Sequence, residues 1–140
     1  MLTSKLAGPS GWGGDMEINK TDVVAEVTMA FDAYEAALVG NDVEALDRLF
    51  WASPEVVRYG PSEALYGRDE ILAFRKARPS AGLERALMRT VITTFGDDFG
   101  IAFAEFRRPG VARTGRQSHS WARLPEGWRI VAAHVSFEEG

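Results

Sequence analysis

From position 21 to 38, apolar residues return at three- and four-residue steps (Val23, Val24, Val27, Ala30, Phe31, Tyr34 and Leu38), which turns one stripe of a helix toward a core. Thr21 or Asp22 can cap its start, and Gly40 falls where a left-handed residue is wanted at its end. A shorter helix follows, capped by Asn41 or Asp42, with Val43, Leu46, Leu49 and Phe50 inward, until Pro54 stops it. The pattern then changes to period two. Residues 55–59 alternate as a strand, with 64–66 as a short partner across the Gly60-Pro61-Ser62 turn. A third helix over about 68–78 offers Ile71, Leu72, Phe74 and Arg75 to its buried side and closes at Pro79. Beyond it, residues 85–95, 100–108, 114–124 and 128–137 read as four long strands separated by turn chemistry at Gly96-Asp97-Asp98, Pro109-Gly110 and Pro125-Glu126-Gly127. These connections are too short for crossover helices, so the four strands form an antiparallel meander. The expected fold is α+β: a strongly curved antiparallel sheet wrapped around the long first helix, enclosing a conical cavity suited to a small ligand.

Composition narrows what such a cavity can serve. The 140 residues suffice for one domain with a sizeable core. Residues 1–15, rich in glycine, proline and serine without a hydrophobic period, are expected to be a flexible N-terminal extension, leaving 16–140 as a single cone-fold domain. Hydrophobic residues at 46% and charged residues at 26% give the balance of an ordinary soluble globular chain. A net charge of -4 without a basic cluster leaves no footprint for a nucleic-acid backbone. The chain has no cysteine and only two histidines, His119 and His134, so no metal site is expected. No run approaches the ~18 apolar residues of a membrane span, and the N-terminus lacks the apolar core of a signal peptide, so the cytoplasm is the expected location.

Several side chains could carry chemistry. Arg58 stands mid-strand between Val57 and Tyr59, so either it or Tyr59 points inward. Facing water, Arg58 is an ordinary surface charge; facing the cavity, its planar fork suits a carboxylate. Tyr34 lies on the apolar stripe of the first helix. It is either a core residue with its hydroxyl at the rim or, beside Arg58, a proton donor whose phenolate the positive charge stabilises. Gln117, His119 and Trp121 share one strand face, opposite Arg116, Ser118 and Ser120, and Gln117 could hydrogen-bond a carbonyl or amide. Strict alternation groups His134 with Trp128, Ile130, Ala132 and Ser136, as a core histidine or a substrate contact. Trp51 is a cavity wall or a core anchor. The Arg107-Arg108 pair reads as a solvated strand end. Arg75 and Arg78 read as surface charges, although one could reach the mouth of the cone. No aspartate pair, glycine-rich phosphate loop or serine elbow is present.

The order of elements, the Asn41-Asp42 helix start, the Tyr66-Gly67-Arg68-Asp69 lead into the third helix, and the closing Trp128-Arg129-Ile130-Val131 with His134 and Ser136 resemble the nuclear transport factor 2-like superfamily, which includes SnoaL-like and ketosteroid isomerase-like proteins. More closely, residues 16–136 resemble the AtzH and HpxZ group of small proteins of cyanuric acid and oxalurate breakdown. The likeness is most specific in FWASPEVVRYG (50–60), KARPSAGL (76–83), RTVITTFG (89–96), GRQSHSW (115–121) and the final strand. This resemblance implies a cofactor-independent decarboxylase acting on a carboxylated urea, 1,3-dicarboxyurea going to allophanate and carbon dioxide in s-triazine breakdown. On that reading Tyr34 and Arg58 are the catalytic pair, with Gln117, His134, Trp51 and Tyr59 around the substrate. It also implies association through the outer sheet face, as a homodimer or homotetramer. Two other functions stay open: a non-catalytic binding partner of an amidohydrolase, and a lyase or isomerase of an oxalurate-like ureido acid. Steroid isomerisation is disfavoured, since Asp97 and Asp98 sit in a turn.

Overall fold

The structure, a computed structural model, describes residues 4–7 and 15–139. The elements run β1 (Ser4–Ala7), β2 (Asp15–Ile18), α1 (Thr21–Val39), α2 (Val43–Leu49), β3 (Val57–Tyr59), β4 (Ala64–Tyr66), α3 (Arg68–Ala77), β5 (Ala86–Phe95), β6 (Phe99–Arg107), β7 (Gly115–Leu124) and β8 (Gly127–Phe137). The strands form one curled, unclosed sheet in the order β1-β2-β5-β6-β7-β8-β3-β4. The meander β5 to β8 pairs antiparallel throughout, as its short turns require. The sheet is nevertheless mixed, because β3 lies parallel to β8 while β4 folds back on β3 as a hairpin. Part of the stretch expected as a loose extension belongs to the sheet: Ser4–Ala7 pairs with Asp15–Ile18 at the edge. The rest of that stretch before Asp15 lies outside the described residues.

Helix α1 buries Val23, Val27, Phe31, Tyr34, Ala37 and Leu38, the stripe that its spacing predicts. Its ends differ from the expectation. Lys20 occupies the N-cap position without a side-chain bond, while Asp22 accepts from the Val23 N–H at 3.0 Å. Gly40 stays right-handed at φ -82°. The left-handed residue is Asn41, at φ 51°. Asp42 then caps α2 by accepting from the Ala45 N–H at 3.1 Å. The stripe of α1 packs with Leu46, Phe50, Ile71, Ala102, Ala104, Trp121, Ile130 and Ala133 into one core between helices and sheet. No helix among the described residues is long and apolar enough to cross a membrane.

One irregularity sets which side chains enter this interior. In the β7–β8 ladder Ser120 faces Ala132 and Trp121 faces Ile130, so Val131 is an extra residue. A single inserted residue reverses the alternation beyond it. Ile130, Ala133 and Val135 are therefore buried, whereas Ala132 and His134 are exposed.

Gly115 shapes the same layer from the start of β7. A Cβ placed there would lie 2.1 Å from Cζ of Phe106, a fully buried ring, far inside van der Waals contact. Gly115→Ala is therefore expected to lower stability by about 1–3 kcal/mol, read from the urea midpoint. A midpoint equal to the parent's would mean that the ring yields without cost.

Candidate functional site

Pairing register lines up one row of residues across the inner sheet face: Arg58 of β3 beside Ala133 of β8, His119 of β7 and Ala102 of β6. The neighbouring row holds Val135, Gln117 and Ala104. The alanines leave the space above the sheet to the longer side chains beside them. Arg58, Gln117 and His119 occupy it, at 5%, 3% and 1% exposure. Helix α1 lays Tyr34 across this row, with its ring meeting the His119 imidazole edge-on at 4.4 Å. Helix α3 contributes Arg75, one turn after the buried Ile71. Its Nη2 donates to the Tyr34 hydroxyl oxygen at 2.8 Å. A guanidinium has no acceptor, so the phenolic proton itself is free to be given elsewhere.

More arginines surround this bond. Arg85 grips Glu35 with Nε at 2.8 Å and Nη2 at 2.6 Å, and Nη2 also donates to Gln117 Oε1 at 3.0 Å. Its guanidinium lies over Phe106 at 4.2 Å, the ring for which Gly115 makes room. Arg58 pairs with Glu63 at 3.3 Å and stands 5.3 Å over Phe74. Arg75, Arg78 and Arg108 have no carboxylate partner among the described residues. Several buried donors lack an acceptor among the described residues: Nε of Arg58, Nε and Nη1 of Arg75, Nε and Nη2 of Arg78, Nε of Arg108 and Nε2 of Gln117. So many orphaned N–H groups facing one interior is the donor set of an anion site.

The charges act on the titratable groups among them. Burial alone would push the Tyr34 phenol up, but the guanidiniums of Arg75, Arg58 and Arg85 outweigh it and hold the group below its ordinary 10.0. Burial, reinforced by the charge of Arg75, pulls Arg58 below the usual guanidinium range. Arg78 comes down to about 10 through burial and the repulsion of Arg75. His119 is held well below 6.5 by burial and then by Arg85, Arg75 and Arg58, and is therefore neutral. Both of its ring nitrogens are unpartnered.

The residues singled out from the sequence divide between the two sheet faces. Tyr34, Arg58 and Gln117 enter the interior. Arg58 reaches Tyr34 as a nearby charge, and the guanidinium that bonds the phenol is that of Arg75. Arg75 is 1% exposed, so its place on the buried side of the third helix holds and its reading as a surface charge is corrected. Its place four residues after Ile71, on the same helix face, was the available signal. Arg78 and Arg108 are likewise half-buried rather than solvated. His134 and Tyr59 belong to the other face: Arg58 turns inward, so Tyr59 turns out, and the Val131 bulge sends His134 after it. Their rings meet at 6.0 Å in a surface cleft of about 340 Å³ with Val57, Ser118 and Ser120. Neither can touch a ligand held beside Tyr34. Trp51 packs against the core and donates its backbone N–H to the Ile130 carbonyl at 3.0 Å. Arg85 and Glu35 were missed because they are 50 residues apart and nothing local in the sequence announces the pair. A cleft of about 440 Å³ between Glu84, Ala86, Arg107 and Pro109 shares Arg85 and Arg108 with the cluster. Among the described residues no three His, Asp or Glu side chains gather as metal ligands.

The AtzH-like family model matches residues 16–140. Among solved structures, a protein of unknown function from Pectobacterium atrosepticum is 59% identical, with TM-score 0.86 over 87% of this chain and 95% of its own. A cystatin-like fold protein from Burkholderia xenovorans is 49% identical, with TM-score 0.85 over 89% of this chain and 98% of its own. An NTF2-like protein of unknown function from Pseudomonas putida shares the fold at 15% identity, with TM-score 0.71 over 84% of this chain and 87% of its own. No curated protein matches the chain at a significant level.

The depressed His119 carries a consequence for stability. Its folded pKa lies below the 6.5 of the unfolded chain, so the unfolded state binds the extra proton as pH falls. Stability is therefore fully present above about pH 7 and declines as pH drops below the unfolded value. Urea titrations at a series of pH values are expected to give a shallower acid decline for His119→Phe than for the parent. Equal slopes would assign the decline to other groups.

Proposed function

The chain belongs to the AtzH-like family, and from that premise we propose that it is a cofactor-independent decarboxylase converting 1,3-dicarboxyurea to allophanate and carbon dioxide in s-triazine breakdown. The observation that supports it is the buried excess of arginine around a tyrosine of lowered pKa. Arg58 and Arg85 are balanced by Glu63 and Glu35, while Arg75, Arg78 and Arg108 are not. A small dianion is the ligand that such a site lacks. An apolar pocket without convergent polar groups would instead have favoured a non-catalytic partner of an amidohydrolase.

The chemistry follows from the substrate. When the bond between nitrogen and carboxylate carbon breaks, its electron pair stays on nitrogen, and carbon dioxide leaves. That nitrogen must take up a proton as the bond opens. Tyr34 donates it, because its oxygen already accepts from Arg75 and its own proton is free. Arg75 then stabilises the phenolate, which regains a proton from water. Arg58 and Arg78 hold the carboxylates, and the closed interior favours the charge-dispersed transition state over the localised dianion.

We also propose that copies of this chain associate through the outer sheet face, as a homodimer or homotetramer. Val91 and Phe103 sit side by side there, 41% and 50% exposed, in register with Ser118, His134 and Tyr59. Phe103→Glu is expected to lower the sedimentation coefficient to that of a monomer. An unchanged coefficient would place association elsewhere.

Carbon dioxide release from freshly generated 1,3-dicarboxyurea tests the activity itself. The parent is expected to exceed the spontaneous rate, Arg58→Ala to fall to it, and Tyr34→Phe to lose roughly 10²–10⁴-fold in turnover. A neutral phenol is the active form, so kcat/KM holds at low pH and falls as pH rises through a Tyr34 pKa below 10.0. Arg75→Met removes the charge and the hydrogen bond, which moves this alkaline limb to higher pH. The limb persists in Arg78→Gln, because the titrating group is the phenol. A parent no faster than the spontaneous rate would end the decarboxylase reading, and a limb unmoved by Arg75→Met would remove Tyr34 from the proton step.

A further inference from the structure

Gln117 carries information that its residue type alone does not. An amide side chain can turn either its oxygen or its nitrogen toward a ligand, and the two ends of the group look alike in shape. Here the choice is made by chemistry. The atom facing Arg85 Nη2 at 3.0 Å has to be the acceptor, because a guanidinium only donates. Arg85 cannot easily turn away, since Glu35 holds two of its nitrogens at 2.8 and 2.6 Å and Phe106 lies beneath it at 4.2 Å. Gln117 Nε2 is therefore left buried and without an acceptor among the described residues, on the strand face that also carries His119.

We infer that Gln117 is the specificity-determining residue for a ligand carbonyl. It is a neutral donor of fixed polarity that selects a dianion with an acceptor oxygen between its two carboxylates, with Glu35 and Arg85 as positioning residues. The inference rests on the dianion site of the proposed function and deepens it. The arginines recognise charge, and Gln117 recognises what joins the charges. A linker that presents only a methylene leaves Nε2 buried and unsatisfied, which is the costly case for a polar group. A linker that presents an N–H or O–H sets a donor against the Nε2 donor, because Oε1 is turned toward Arg85.

Two dianions of equal length isolate the contact: glutarate, with a central methylene, and 3-oxoglutarate, with a central ketone, which as a β-keto acid is used fresh and cold with its own carbon dioxide release followed alongside. Calorimetry with the parent protein is expected to show 3-oxoglutarate bound about tenfold more tightly. Gln117→Met removes the donor and should bring the ratio to about one. Gln117→Glu, which keeps the shape and still satisfies Arg85, should invert it by setting an acceptor against the ketone. Glu35→Gln should shrink the preference while glutarate stays bound, a result that a purely structural role for Glu35 would not give. Equal binding of the two probes by the parent, or a preference that survives both Gln117 variants, overturns the assignment. If neither probe binds, the dianion site fails and the assignment with it. If the protein shows the ketone preference but does not speed carbon dioxide release from 1,3-dicarboxyurea, the decarboxylase reading fails and the donor assignment stands.

Discussion

Guanidinium groups crowded above one sheet face repel one another and lose water, and two carboxylates return only part of that cost. The surrounding structure is arranged around this constraint. Small residues at Ala102, Ala104 and Ala133 clear the floor so that long side chains can lie over it. Phe74 and Phe106 put aromatic faces under Arg58 and Arg85, a contact that favours a desolvated cation without a carboxylate. Gly115 lets Phe106 approach the strand closely enough to do so. Tyr34 then accepts from the most deeply buried arginine and bridges α1 to α3. A core built this way is less stable than an apolar one of equal volume. The guanidinium groups left without a carboxylate are those that the proposed dianion would complete.

Much of this architecture is legible in the chain. The meander can be read because each turn is marked by glycine, proline or aspartate, so the grouping of Gln117, His119 and Trp121 on one face of β7 follows from counting alone, while that this face is the inner one comes from the structure. Counting fails on β8 because one bulged residue, Val131, leaves no mark in composition and reverses everything after it. It fails at the end of α1 because Asn41, rather than the neighbouring Gly40, takes the left-handed conformation. The failure at Arg75 is of another kind. Its helical position is compatible with burial, yet a charged residue reads as exposed unless its partner is known, and the partner, Tyr34, is 41 residues away on another helix.

The arginines also have to serve two successive charge states on the proposed reaction. In the free site they hold the Tyr34 phenol below its ordinary pKa. An arriving dianion offsets that positive field, which raises the phenol pKa again and keeps the proton on oxygen while the substrate is intact. As carbon dioxide leaves, the bound species goes from dianion to monoanion, and one unit of positive charge near Tyr34 is no longer offset. The phenolate that forms at that moment takes up the released charge through Arg75, whose hydrogen bond to the same oxygen is already in place. Proton transfer is thus coupled to loss of the carboxylate by electrostatics alone. On that reaction the coupling depends on guanidinium groups that no carboxylate holds, because a fully paired set would have nothing left for the phenolate.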